Sequence, residues 1–261
     1  MAAKVDAQTS WKGTVSTAWA NTTNWTAGIP TATLDVIIGD ANFTGTNQPS
    51  ITATAVAKSL TIGTGTTNCV LSMSKGLTVS GNVTIGTNGT ILHSGTTSLT
   101  ISTTGNWSNS GTYTNSGTGA VIFSGTAQAV SGTAAFKNLT VNSTCTLTLN
   151  TNISVSTTFT CTGTLNPNES PTYQVTGAGN LVMAATTVLL VKASTFAGNY
   201  ALTGTNALNT KYTVNYAATT VSQTITSNLV YGTLIASGGT TKTLQGNLIF
   251  TNASGAGNIT V

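Results

Sequence analysis

The chain has 261 residues, a net charge of +4 and a charged fraction of only 5%, against about a quarter in ordinary soluble domains. Its acids are Asp6, Asp35, Asp40 and Glu169, its eight bases are lysines scattered singly, and His93 is the one histidine. This inventory argues against a nucleic-acid groove, which wants clustered Lys and Arg, and against metal centres or paired-carboxylate hydrolysis, which want several acids or thiols close together. Threonine takes about a fifth to a quarter of the positions, far above its usual share. With 39% apolar residues, such a β-branched composition reads as folded β structure rather than disorder.

In chain order, the stretch from Met1 to Gly13 holds no apolar core of a signal peptide. Residues 8–50 carry Trp11, Trp19 and Trp25 together with Pro30 and Asp35. Region 1–50 is therefore expected to form an aromatic cap, since the first coil of a repeat stack needs covering. The sharper alternative is that the three tryptophans form a platform on which a sugar ring stacks.

Region 51–261 reads as repeats. Short alternating segments recur at Leu60–Ile62, Leu77–Val79, Asn82–Ile85, Ser98–Ile101, Ala120–Phe123, Asn138–Val141, Thr146–Leu149, Asn152–Val155, Asn180–Met183, Lys211–Tyr216 and Asn247–Phe250. Each is bounded by Gly, Asn, Ser or Thr, the residues of turns. Gly-Asn followed by an apolar residue begins at Gly81, Gly105, Gly179, Gly198, Gly246 and Gly257. Strand centres near Leu60, Val79, Leu99, Val121, Leu139, Phe159, Leu181 and Leu202 step by about 20 residues, a solenoid interval. A longer repeat, offset by about 95 residues, maps Leu139 and Leu147 onto Leu234 and Leu244.

These features predict an all-β fold, a single-stranded parallel β-solenoid of about 20 residues per coil with an N-terminal cap. Corner asparagines are expected to stack from coil to coil. An antiparallel β-sandwich is the alternative; it explains the alternation but not the step. Cys69, Cys145 and Cys161 lack metal spacing; Cys145 and Cys161 either lie one coil apart, where they stack or pair, or are simply buried. His93 reads as a surface or ladder residue. No cofactor and no metal is expected, and no run reaches the roughly 18 apolar residues of a membrane helix.

The segments WKGTVSTAWANTTNW at Trp11, GIPTATLDVII at Gly28, GNWSNSGTYTNSGTGAVIFSGTAQAVSG at Gly105 and FKNLTV at Phe136 resemble the repeat regions of large secreted surface proteins of the Bacteroidota. The later stretch from Lys211 to Phe250 is similar to the same module. The resemblance implies an exported adhesin or cell-surface structural protein, many of which leave by the type IX route, and it identifies architecture better than activity.

The functional expectation is a non-catalytic extracellular structural or adhesive protein, either a rigid spacer or a self-assembling cell-surface filament subunit. Its expected partners are itself, through an uncovered last coil near Ile259 and Val261, and surface glycans or proteins. The alternative is a carbohydrate-binding module using Trp11, Trp19 and Trp25. A polysaccharide-cleaving enzyme would need Asp35 or Asp40 to face a groove.

Overall fold

The computed structural model describes residues 7–207, 212–250 and 258–261; Asp6, Lys211 and Gly257, used above, lie outside them. Apart from one 3-10 turn at Thr22–Asn24, the regular structure among these residues is β-strand. The paired strands run parallel. A parallel pair cannot be closed by a hairpin and needs a long crossover. Here the crossover is the rest of a coil: Leu77 pairs with Leu99 and Leu99 with Val121, 22 residues apart each time. This is a β-solenoid, and the face-to-face antiparallel sandwich is excluded.

The chain forms two compact units, Met1–Gly125 with Ser131–Thr133, and Thr126–Val130 with Ala134–Val261. In the first unit each coil from Asp35 onward contributes three short strands to three parallel ladders, and the segment before it adds one. One ladder runs through Gln8–Ser10, Asp35–Ile38, Ser59–Ile62, Val83–Ile85 and Trp107–Asn109. A second runs through Ser50–Ile51, Cys69–Met73, Gly89–His93 and Thr112–Asn115, and a third through Ala55–Ala57, Leu77–Val79, Leu99–Ile101 and Val121–Phe123. The two-residue period of a strand sends alternate side chains inward. Leu77, Leu99 and Val121 are therefore stacked and fully buried, as are Val79, Ile101 and Phe123. Each buried aliphatic side chain is worth about 1.5–3 kcal/mol against exposure.

The corners explain the Gly, Ser and Asn of the repeat. Gly63 has φ +69, and a Cβ there would meet the backbone N of Gly89 at 1.9 Å; one on Gly111 would meet the carbonyl O of Gly86 at 2.2 Å. Successive coils approach too closely at this corner for any side chain. Ser102 and Ser124 donate their amides to Val79 and Ile101 of the coil before, and their hydroxyls reach the same carbonyls at 3.4 Å. The Asn of the Gly-Asn repeat links coils through its side chain: Asn82 Oδ1 accepts from the Asn106 amide at 2.9 Å.

The second unit continues the logic with less regularity. Leu147, Leu165, Leu189, Val214, Leu234 and Ile259 pair in succession along one parallel ladder. Along another, Ala135–Val141 pairs with Ile153–Cys161, with a register shift between Phe136 and Asn138. Asn152 and Asn180 accept the amides of Gln174 and Thr205 at 2.9 and 2.8 Å, the same side-chain link as in the first unit.

Two sequence assignments need correction. Leu60 pairs with Val83, so it belongs to a different ladder from Val79 and is not one step of the same series. The 95-residue repeat fails in register: Leu234 shares the ladder of Leu147, whereas Leu139 pairs with Phe159 and Phe159 with Leu181. Coil length varies from 18 residues, between Leu147 and Leu165, to 27, between Gln8 and Asp35. A fixed long offset therefore drifts from one ladder to another.

The alternation makes a direct prediction. Leu99→Ala should cost about 2–5 kcal/mol of unfolding free energy, while Thr100→Ala, one residue on and facing outward, should stay within about 0.5 kcal/mol of wild type. Urea denaturation of the two variants measures this; equal losses would contradict the inward assignment.

Candidate functional site

The three cap tryptophans come together. Trp11, Trp19 and Trp25 are 0%, 5% and 2% exposed. Trp25 meets Trp11 edge to face at 4.9 Å between ring centres and Trp19 at 4.8 Å. The Trp11 indole N–H donates to Asn47 O and that of Trp25 to Trp19 O, both at 2.8 Å. Buried Asn24 organises the loop, its Oδ1 accepting from Val15 and Ser16 and its amide donating to Ser16 Oγ and Ala18 O. The indoles pack chiefly against one another, and Trp19 also shares the wall of a small surface hollow with Ile29, Pro30 and Val56. The loop covers a strand edge: Trp19 donates its amide to Ser50 O, and Ser50 donates to Thr17 O. The same region supplies solenoid rungs of its own at Gln8–Ser10 and Asp35–Ile38.

Each described acid is held by neighbours. Asp35 lies in register with Ser59 and accepts from its hydroxyl at 2.5 Å and from Lys58 Nζ at 2.9 Å. Burial works to raise the Asp35 pKa, but the bonds from Ser59 and Lys58 outweigh it and leave the carboxyl below its ordinary value. Asp40 accepts from Ser10 Oγ at 2.7 Å and from the backbone and side-chain amides of Asn42. No group of three His, Cys, Asp or Glu among the described residues is placed to hold a metal.

His93 is not a surface residue. It is 1% exposed, with Nε2 at 2.7 Å from Thr97 O and Nδ1 at 2.9 Å from the Tyr113 hydroxyl. A neutral ring satisfies both contacts, Nε2–H donating to the carbonyl and Nδ1 accepting the phenol proton. Burial lowers the His93 pKa, and the Thr97 contact only partly offsets it. Cys69, Cys145 and Cys161 are free and buried. Cys161 lies opposite Val141, so it does not stack on Cys145. Burial pushes the thiols up to about 11, 11 and 12.

Glu169, which the sequence leaves alone, is engaged across 50 residues. Its carboxylate accepts from the amides of Thr219 and Thr220 at 2.5 and 2.6 Å and from their hydroxyls at 3.0 and 2.8 Å. Lys192 Nζ stands 3.6 Å away. Burial alone would raise the Glu169 pKa, but the hydroxyl and amide bonds from Thr220 and Thr219 bring it down to about 2. No sequence pattern announces this contact, because nothing local links residue 169 to residue 219.

The outward faces carry hydroxyls and methyls in columns. In the first unit Val70, Thr90 and Thr112 align, beside Ser72, Leu92 and Thr114. In the second, Thr146, Thr164, Val188, Thr213 and Thr233 align. Neighbours along a column are about 4.8 Å apart. The second unit also has a surface hollow of about 420 Å³, with Phe196, Leu229, Thr224, Thr226, Asn228 and Gln245 in its wall. The Phe196 ring is braced by Tyr200 at 4.8 Å. Ile259 is 56% exposed, on a strand that pairs with Thr233–Ala236, and Val261 is fully exposed. No helix among the described residues is long and apolar enough to cross a membrane.

Residues 10–114 match the model of a family described as a domain of unknown function (DUF8693). The match lies within the first unit and takes in the tryptophan cap and the coils that follow. No curated protein and no solved structure matches the chain.

Two solution measurements follow. Because the folded pKa of His93 is depressed, the unfolded chain takes up a proton first as the pH falls through 6.5. Stability should therefore be complete above that value and decline below it, and the urea midpoint should drop between pH 7 and pH 5; His93→Gln should flatten this slope. The cysteines should be silent toward a disulfide reagent at pH 8 until denaturant is added, since buried thiols with raised pKa hold little thiolate. Rapid stoichiometric labelling in buffer would contradict the buried placement.

Proposed function

We propose that the chain is a non-catalytic structural and adhesive module of an extracellular surface protein, with each solenoid unit serving as a stiff spacer that presents uncharged, threonine-rich faces. The observation that carries this reading is the outward column, Thr146, Thr164, Val188, Thr213 and Thr233, repeated at every rung over a buried apolar core. A column of hydroxyls and methyls offers many weak, equivalent contacts, which gain strength through multivalency. The engagement of Asp35 and Asp40 with Lys58, Ser59, Ser10 and Asn42 supports a non-catalytic reading, because both acids tie the coil that carries them to a neighbouring one. Export to the cell surface is the part of the proposal that rests on the resemblance to Bacteroidota surface repeats. Self-association through the edge bearing Ile259 and Val261 is its filament form, and concentration-dependent sedimentation reads it directly.

A second reading, a carbohydrate-binding module, is favoured by the hollow beside Phe196 rather than by the tryptophans. A ring face flanked by hydroxyls and by the amides of Asn228 and Gln245 combines apolar contact with orienting polar groups.

Beads coated densely with the purified chain should adhere to polysaccharide-coated or cell-surface-protein-coated slides under flow. Soluble monomer should bind the same slides only weakly. Beads that detach as readily as albumin-coated controls on every surface would remove the adhesive reading. Adhesion to polysaccharide alone, lost in Phe196→Ala, would favour the carbohydrate module.

A further inference from the structure

Four successive coils of the second unit bring a charged corner together. Thr164–Asn166 pairs with Val188–Val191, and Val188–Val191 pairs with Thr213–Tyr216. Glu169 follows the first of these rungs, Lys192 the second, and the turn Ala217–Thr220 the third; Lys242 opens a strand of the next coil. The loop that carries Glu169 thus crosses the intervening rung to bring the carboxylate to a turn two rungs away, a span of about 10 Å at the spacing of parallel strands.

The turn is a receptor built for a carboxylate. Two consecutive amides and two hydroxyls converge on the Glu169 oxygens. Lys192 donates to Ala217 O at 2.6 Å and Lys242 to Ala218 O at 3.1 Å, so each cation is held beside the anion by the backbone that precedes the turn. Consecutive backbone N–H groups with flanking cations form an anion-binding concavity whatever carries the anion. Thr219 and Thr220 are exposed, so the donors lie where a ligand can reach them.

The loop that carries Glu169 is anchored at its far end. Asn199, fully buried, donates to Thr172 Oγ1 and Tyr173 O and accepts the amides of Lys192 and Ala193. The near end is held more lightly, Asn168 donating its backbone amide to Asn166 Oδ1 and its side-chain amide to Asn150 Oδ1 at 3.5 Å, and Glu169 donating to Asn168 Oδ1. Ser170 and Pro171 are exposed. The segment is a strap with a fixed base, and Glu169 is the pin at its tip.

We propose that the Thr219–Thr220 turn, with Lys192 and Lys242 beside it, is a carboxylate-binding site that Glu169 occupies in cis, and that an external carboxylate takes its place when the strap is withdrawn. The ligand class is an organic acid group, carried either by an acidic sugar or by an acidic protein side chain.

The test uses the full-length Glu169→Ala chain titrated with acetate, glucuronate and a capped glutamate. The Thr219 and Thr220 amide resonances and the thermal midpoint are followed. Saturable amide shifts and a rising midpoint are expected in the variant, and neither at the same concentrations in wild type, whose site is filled. Adding Thr220→Val should weaken acetate about tenfold, the loss of one hydrogen bond to a charged group. Tighter binding of glucuronate than acetate assigns an acidic sugar, and tighter binding of the capped glutamate assigns an acidic side chain. If the alanine variant does not fold, Glu169→Gln keeps the side-chain length and should show the same saturable shifts. Absence of saturation in the folded variant, or an equal response to chloride, overturns the proposal.

Discussion

Neighbouring rungs of a parallel ladder stand about 4.8 Å apart, so whatever fills a column meets its own equivalent directly above and below. That single constraint accounts for much of the composition. Like charges at this spacing repel, and the chain is 5% charged. Leu, Ile and Val stack without penalty and fill the inner columns, while Thr fills many of the outer ones. At corners where coils nearly touch, as at Gly63 and Gly111, even a methyl group has no room. Where an exposed amide needs an acceptor between strands, the Asn of the Gly-Asn repeat supplies a carboxamide, as Asn82 does for Asn106.

A stack built this way has edges, and the first unit answers for its own. Residues 11–25 fold into a loop bracketed by hydrogen bonds and filled by three indoles, and the segment around Trp19 lies along the Ser50–Ile51 strand. The tryptophans are therefore accounted for by packing. In the second unit the Glu169 strap does a related job, tying coils two rungs apart through four hydrogen bonds to one carboxylate. Both features are cross-links laid over a fold whose strand pairs join one coil to the next.

The fold was legible in the sequence because it is periodic. Alternating triplets such as Leu99–Ile101 mark both the strand and its inward face, and the step of about 20 residues marks the coil. Register was less legible, since coil length varies and Leu60 and Val79 look alike although they belong to different ladders. The candidate sites were the least legible. His93 sits in an ordinary alternating strand, and its burial depends on Thr97 and Tyr113. Glu169 and Thr219 are joined only by the number of coils between them, and the Phe196 hollow is assembled from three separated turns. Such features come from the superposition of coils, which no local pattern encodes.

The central claim, that successive coils pair in parallel register within each unit, is tested most directly by through-hydrogen-bond scalar couplings in isotopically labelled protein. The account predicts couplings from the Leu77 amide to the Ser98 carbonyl and from the Leu99 amide to the Ala120 carbonyl, the bonds seen at 3.2 and 3.0 Å. Couplings that instead join Leu77–Val79 to the strand next in sequence, in the paired pattern of an antiparallel hairpin, would contradict it.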